Sequence, residues 1–298
     1  MSFTIARSID DALVALAAGA RPIAGGSDLV VGARHGKVPL PEQLVAVDRI
    51  DDLCIVEHHV EGCDIGAAVT HSQLMTDPVI VDRYTALADA AALIGSPATR
   101  NVGTIGGNVM NASPAMDTGA PLLVMGASVD LRSMTETRRI AVADLWTGPG
   151  QTIARNDELC TAIHIPARSG RAGSAYVRLE YRRAMEIAVV GAGAAVELND
   201  DGSLAAVSVA LAAVAPTIVG LDGDVGALLG RPVDADLLAA VAQAASAAAR
   251  PITDLRASDA YRRHVVGVMA GRAVDAAARR ASGDAIDVPV NRALGIGS

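Results

Sequence analysis

Between Ile94 and Ala127 the chain reads I-G-S-P-A-T-R-N-V-G-T-I-G-G-N-V-M-N-A-S-P-A-M-D-T-G-A-P-L-L-V-M-G-A. Small residues, turn formers and one carboxylate, Asp117, crowd together there between two apolar runs. A backbone of this kind has few side chains to hold a ligand at a distance. Gly103, Gly106 and Gly107 allow positive φ and close approach, so that consecutive amides point at one anionic group. Thr104 and Asn108 flank them with hydrogen-bonding side chains, and Asp117 offers an acceptor suited to a hydroxyl. A second turn of the same chemistry, Pro22-Ile23-Ala24-Gly25-Gly26-Ser27-Asp28, lies far upstream. Two such turns point to a diphosphate held from two sides. Replacing Gly106 and Gly107 by Val is expected to remove binding while sparing the fold.

Periodicity and turn chemistry divide the rest. Ser8 to Ala18 has an N-cap candidate, acids in the first turn and helical apolar spacing. Arg21 to Ala24 reads as a strand entering the first glycine turn, Asp28 to Gly36 as a helix or turn, and Leu44 to Val47 as another strand. Residues 1–55 therefore predict a small α/β subdomain. Residues 56–166 are strand-rich with helical interludes: I-V-E-H-H-V and C-D-I-G-A-A-V as strands, Thr85 to Ile94 as a helix, and Ser128 to Leu131 with Arg139 to Val142 as a hairpin pair. A linker is expected over 166–174. A C-terminal domain over 172–281 follows, with strands at Ala175–Leu179, Ala188–Leu198 and Ala205–Ala213, a hairpin turn at Asn199-Asp200-Asp201-Gly202, and alanine-rich helices at Ala235–Ala249 and Ala257–Arg280. The tail after Ser282 is expected to fray. The fold class is α+β: a two-part domain, one small α/β subdomain and one larger mixed α+β subdomain, then a C-terminal α+β domain with a small antiparallel sheet and helices.

Several functions are excluded. A formal charge of -8 with 2% aromatic residues is unsuited to nucleic acid, which needs cations and stacking rings. No apolar run approaches the roughly 20 residues of a membrane span, and the opening M-S-F-T-I-A-R-S-I-D-D lacks a signal pattern, so a cytoplasmic protein is expected. Cys54, Cys63 and Cys160 are odd in number and far apart, unlike a disulfide framework, zinc site or iron-sulfur site; no metal ligands are assigned. The run Val189-Val190-Gly191-Ala192-Gly193-Ala194-Ala195-Val196 imitates a dinucleotide fingerprint. A strand end and turn follow it instead of the helix that would receive a pyrophosphate, so these small residues are read as packed within a sheet.

Both glycine turns, with Leu145-Trp146-Thr147-Gly148-Pro149-Gly150, Asp157 to Pro166, Tyr181-Arg182-Arg183-Ala184-Met185-Glu186-Ile187-Ala188 and Asp259-Ala260-Tyr261-Arg262-Arg263-His264, appear in an order that resembles the FAD-binding (medium) subunit of the molybdenum hydroxylases, the group including xanthine dehydrogenase and aerobic carbon monoxide dehydrogenase. The resemblance implies one non-covalent FAD on this chain and an oxidoreductase role as an electron-transfer subunit. It implies partners too: a large subunit with the molybdenum cofactor and a small subunit with two [2Fe-2S] clusters, as a dimer of heterotrimers delivering electrons to NAD or a quinone. The assembly's substrate, whether carbon monoxide, a purine, another N-heterocycle or an aldehyde, is set in another chain. The alternative is a stand-alone FAD-binding diaphorase or nucleotide-binding sensor.

Cofactor contacts carried over by resemblance are Pro22, Ile23, Ala24, Gly25, Gly26, Ser27, Asp28 and Leu29 in the first loop, then Thr104, Ile105, Gly106, Gly107 and Asn108 in the second. Asp117 matches an acid that contacts the cofactor. Ile94, Cys160 and Arg178 fall where the family has a flavin neighbour, an aliphatic packing residue and a basic side chain. Cys160 is a departure, as is Glu186, where relatives commonly have aspartate; Arg182 or Arg183 is its expected partner. No residue is assigned as catalytic. The six histidines are read as surface or core residues forming no close cluster.

Overall fold

A computed structural model describes residues 2–36, 39–168, 170–182 and 184–296. Ser8 caps the first helix as its sequence predicts. Its Oγ accepts from the Asp11 amide at 3.1 Å while the Asp11 carboxylate accepts from the Ser8 amide at 3.1 Å, a reciprocal cap that opens Ile9–Ala17. Ala12, Leu13 and Leu16 then face inward onto Val45, Val47, Ile50 and Leu53. Strands β1, Ser2–Ile5, and β2, Arg21–Ile23, each run parallel to β3, Gln43–Ala46, and Ile5 and Ile23 both align with Ala46. Parallel neighbours need crossovers. The helices Ile9–Ala17 and Ser27–Arg34 supply them.

The same compact unit holds a five-stranded antiparallel sheet. It is formed by β4, Val56–His59, β5, Gly62–Gly66, β6, Ser128–Arg132, β7, Thr137–Ala141, and β10, Leu159–Pro166, in the order β4-β5-β10-β6-β7. A small ribbon pairs β8, Trp146–Gly148, with β9, Gln151–Thr152. Alternation sets the faces: Val129 and Leu131 of β6 are buried, while Asp130 meets Arg139 of β7 in a two-bond fork at 2.8 and 2.9 Å.

By its contacts the chain forms two compact units. The first comprises residues up to Gln73, Pro97–Ala112 and Ala127–Ala167; the second comprises Leu74–Ser96, Ser113–Gly126 and the chain from Arg168 onward. Two segments within 56–166 therefore fold with the C-terminal residues, a grouping that local patterning does not reveal. No helix among the described residues is long and apolar enough to cross a membrane.

The second unit is built on β11, Arg171–Leu179, β12, Val190–Leu198, β13, Leu204–Ala212, and β14, Val219–Gly220, all antiparallel in that order. β11 begins inside the expected linker because Arg171 already pairs with Leu198. The Val189–Val196 run is strand β12, as read from its context: Gly191 leaves room for the Tyr176 hydroxyl, which a Cβ there would meet at 2.3 Å.

β11 is an edge strand, and its outer edge is closed by side chains. Asp89 accepts from the Tyr176 amide at 3.1 Å, Arg280 donates to the Ser174 carbonyl at 2.9 Å, and the Asn291 amide group accepts from Arg178 N at 3.2 Å and donates to Arg178 O at 2.9 Å. Asp89 also receives Arg280 and the Val290 amide. The expectation of a frayed tail is corrected by this arrangement. Val290–Ala293 is helical and Asn291 is buried, because its amide replaces the missing neighbouring strand.

Candidate functional site

The first glycine turn begins where β2 ends at Ile23. Gly26 takes φ 66°, a left-handed conformation, and becomes the N-cap of Ser27–Arg34. Having no side chain, it gives no cap to the first-turn amides. A helix start of this kind, with its positive dipole end and uncapped N–H groups, suits an anionic oxygen. Asp28, in the same first turn, is exposed.

The second turn is built differently. Thr104 N-caps Ile105–Asn111, its hydroxyl accepting from Gly107 N at 3.1 Å. Ile105 N donates to Val69 O at 3.0 Å, Gly106 N to Ala67 O at 2.9 Å, and Asn108 N to Thr104 O at 3.0 Å. Amides 105 to 108 thus have partners within the protein. Gly103, Gly106 and Gly107 do not have positive φ, contrary to the expectation from sequence. The buried Gly106 lacks a Cβ for another reason: one would lie 2.6 Å from Ala67 Cβ and from Ala67 O. Gly107 is exposed and would meet only Thr104 Oγ1, at 3.0 Å.

The two turns meet. A Cβ on Gly25 would fall 1.8 Å from Val102 O and 3.0 Å from Gly103 N. The fold therefore brings Pro22–Leu29 against the peptide leading into Thr104–Asn108. The far end of the Ile105–Asn111 helix is held by the L-W-T-G-P-G motif, whose Trp146 Nε1 donates to Val109 O at 3.0 Å and whose Gly150 N donates to Ala112 O at 3.0 Å. This holding role of Trp146 and Gly150 was not read from sequence.

His71 is a residue that sequence reasoning missed. Its amide donates to Gly103 O at 3.1 Å. Its ring lies 3.3 Å from where a Gly103 Cβ would be. Burial, followed by the nearby Arg100, lowers its pKa to about 4. The ring is therefore neutral at neutral pH. Its Nδ1 is the one buried side-chain nitrogen or oxygen of this unit that has no hydrogen-bond partner among the described residues. No local pattern in the sequence marks it. An uncapped helix start and a backbone cradle without side chains fit a bulky anionic cofactor.

Cys160 lies on β10 opposite Leu131. Burial, with Asp130 adding to it, pushes its thiol up to about 12, so it behaves as a small apolar residue. His164 lies between Asp64, at 2.6 Å, and Asp130, at 2.8 Å, and His59 is 3.4 Å from the same Asp64. Strand register thus gathers two histidines that sequence spacing left apart. Among the described residues no group of His, Cys, Asp and Glu is arranged to hold a metal ion.

In the second unit Asp117 and Arg178 are brought together. Arg178 is wholly buried on β11, donating to Asp117 Oδ2 at 2.8 Å and to Glu180 Oε2 at 2.7 Å. Tyr176 donates its hydroxyl to Asp117 Oδ1 at 2.8 Å. Burial opposes the charge on Arg178, but Asp117 and Glu180 outweigh it and raise its pKa. Burial pushes the Asp117 carboxyl up, against the pull of Arg178 and Tyr176. Both its oxygens accept hydrogen bonds, one from a group with no acceptor to offer in return, and the ionised form satisfies both. Ile94, half-buried, ends the helix Thr85–Leu93, and the next carbonyl, of Gly95, accepts from Met185 N at 3.0 Å. Glu186 pairs with Arg182 at 3.2 Å; Arg183, the other expected partner, lies outside the described residues.

Comparison with known proteins extends this geometry. Residues 1–168 match the family described as the FAD binding domain in molybdopterin dehydrogenase, and residues 175–277 match the CO dehydrogenase flavoprotein C-terminal domain. The chain is 32% identical to the carbon monoxide dehydrogenase medium chain of Afipia carboxidovorans, over 92% of this chain and 96% of that one. It is 28% identical to a xanthine dehydrogenase FAD-binding subunit of Escherichia coli, over 95% of this chain and 97% of that one. In structure it is similar to carbon monoxide dehydrogenase of Hydrogenophaga pseudoflava, with a TM-score of 0.89, 28% identity, and coverage of 94% of this chain and 98% of that one.

Proposed function

The chain belongs to the FAD-binding family of molybdopterin dehydrogenases, and we propose that within it the protein is the electron-transfer subunit of a molybdenum hydroxylase, passing electrons from [2Fe-2S] clusters of a small partner subunit to an acceptor such as NAD or a quinone. A large partner subunit with the molybdenum cofactor oxidises the substrate, and the assembly is a dimer of heterotrimers in the cytoplasm. FAD, when bound, supplies electron exchange that no side chain of this protein offers.

The observation that carries the reading is the uncapped start of Ser27–Arg34 at Gly26, resting through Gly25 on the Val102–Gly103 peptide. In this reading the residues from Pro22 to Leu29 bind the diphosphate through backbone N–H groups. Thr104 to Asn108 form the wall that orients it, and the exposed Gly107 leaves that wall open. Cys160 packs as a neutral thiol. Ile94, Asp117 and Arg178 are proposed as further cofactor contacts on the family resemblance alone. No side chain of this chain is assigned as acid, base or nucleophile on an organic substrate, which suits a relay.

The test is isolation of the protein with its natural partners, followed by assay of the chain alone. The expected assembly contains FAD, molybdenum and iron. The isolated chain, loaded with FAD and kept anaerobic, is expected to bleach with dithionite and to stay oxidised with heterocycles and aldehydes. Stoichiometric bleaching by any such substrate without partner chains overturns the relay reading, and a colourless preparation that takes up no FAD overturns the cofactor assignment.

A further inference from the structure

The helix Ile105–Asn111, which carries most of the wall Thr104–Asn108, has seven residues and includes Gly106 and Gly107. A helix that short does not persist alone, and two glycines weaken it further. Its place is therefore set by what holds its ends. At the start, Ala67 O and Val69 O accept from Gly106 N and Ile105 N. At the far end Ala112, the C-cap, takes φ 49°, a left-handed conformation that alanine keeps only when its surroundings hold it there.

The hold comes from the ribbon of β8 and β9. Val109 O accepts from Ala112 N at 3.2 Å and also from Trp146 Nε1 at 3.0 Å, and Ala112 O accepts from Gly150 N at 3.0 Å. Gly150 takes φ 70° in the turn between the two strands, a conformation that suits a residue without a side chain. The ribbon is itself rooted in the five-stranded sheet. β7 passes directly into the helix Val142–Leu145, whose Val142 N donates to Ala127 O at 3.0 Å, next to β6. Trp146 follows that helix and is buried. Its indole thus ties the end of Ile105–Asn111 to a fixed framework.

We propose that Trp146 is a positioning residue for the flavin nucleotide, its Nε1–H holding the helix Ile105–Asn111 so that Thr104–Asn108 stands in place before the cofactor arrives. The proposal rests on the reading of this chain as an FAD protein and adds to it a residue outside both turns. With the bond in place the wall is ordered in advance; without it, ordering is left to the cofactor and lowers the affinity. Val109 O keeps the Ala112 amide as a partner either way, so removing the indole donor leaves no bare carbonyl there.

Trp146 is the one tryptophan of the sequence, so biosynthetic replacement of tryptophan changes this position alone. The test titrates apo protein with FAD, following flavin fluorescence, for the parent and for protein carrying either of two analogues. Benzothienylalanine keeps the ring shape and has no N–H, whereas azatryptophan keeps the N–H. W146F and S8A are titrated alongside, and each apo form is melted. S8A removes the cap of Ile9–Ala17 in the same unit and shows what lost stability alone does. The benzothienylalanine protein and W146F are expected to bind FAD roughly three- to tenfold more weakly than the parent. The azatryptophan protein and S8A are expected to bind within about twofold of it. If the parent takes up no FAD, the flavoprotein reading fails and this role with it. If the parent binds and the benzothienylalanine protein binds as tightly, the role of the indole N–H is overturned while the flavoprotein reading stands. Losses as large with azatryptophan or in S8A overturn it equally. Should W146F fail to fold, the two analogues decide.

Discussion

Gly25 rests directly on the carbonyl of Val102, with 1.8 Å separating that oxygen from the place where a Cβ would stand. The collision is with backbone, which cannot rotate aside as a flexible side chain does. Gly25→Ala is expected to destabilise the protein by about 1–3 kcal/mol or more, the usual range for overpacking. It is also expected to abolish FAD uptake by separating the two turns. Urea unfolding of the apo protein and FAD titration check the two effects together.

Gly106 and Gly107 are neighbours with opposite surroundings, and the sequence-based expectation that Val at both positions spares the fold is revised accordingly. Gly106→Val drives its Cβ into Ala67 and is expected to unfold or strongly destabilise the protein. Gly107→Ala faces solvent inside a helix, where Ala is favoured over Gly by up to about 1 kcal/mol. This second variant is expected to be as stable as the parent, within about 1 kcal/mol. Thermal melting of the two single variants separates them.

Arg178 lies between Asp117 and Glu180, so its removal leaves two buried carboxylates facing each other. Arg178→Met is expected to cost about 3–5 kcal/mol at neutral pH, more than Asp117→Asn, which leaves Arg178 with Glu180. The pH dependence has a definite sign. Without the guanidinium the folded-state pKa of Asp117 rises further above its unfolded value, so stability is present at low pH and is lost as pH climbs through the folded pKa. Denaturation of Arg178→Met at pH 4.5 and pH 7 should therefore show greater stability at the lower value.

His71 sets an acid limit on the apo protein. Its folded pKa of about 4 lies below the ordinary histidine value, so the unfolded chain binds the extra proton in between. Stability falls as pH drops from about 6.5 toward 4, by on the order of 3 kcal/mol in all. The slope over that window is expected to flatten in H71N. Urea unfolding across the pH range measures it.

Asn291 takes the place of a strand partner for Arg178. Asn291→Ala leaves a buried N–H and a buried C=O unpaired and is expected to cost on the order of 3 kcal/mol. Hydrogen exchange should quicken at Arg178. Truncation before Val290 should have a larger effect, because the Val290 amide bond to Asp89 is lost as well. Melting of both variants, with exchange mass spectrometry of β11, tests this.

Much of the fold was legible because it is local. Ser8 and Asp11 are three residues apart, and their reciprocal cap depends on nothing else. The alternation in Ser128–Arg132 assigns its two faces, and Asn199 to Gly202 announces the turn between β12 and β13. Both candidate cofactor turns were visible for the same reason. What each glycine does there was not legible. The role of Gly106 depends on Ala67, and that of Gly25 on Val102, residues that no local pattern connects to them.

The sequence by itself determined the elements, the class of fold and the two small-residue turns, since these follow from backbone freedom, capping and periodicity within a few residues. Only the tertiary structure decided which polar groups far apart in the chain meet. Asp117 receives Tyr176 and Arg178 from 59 and 61 residues away, and Asp89 receives Val290 from 201 residues away. A buried charge or amide takes whatever partner packing brings within about 3 Å. That distance is set by the packed chain as a whole, and no stretch of the sequence contains it.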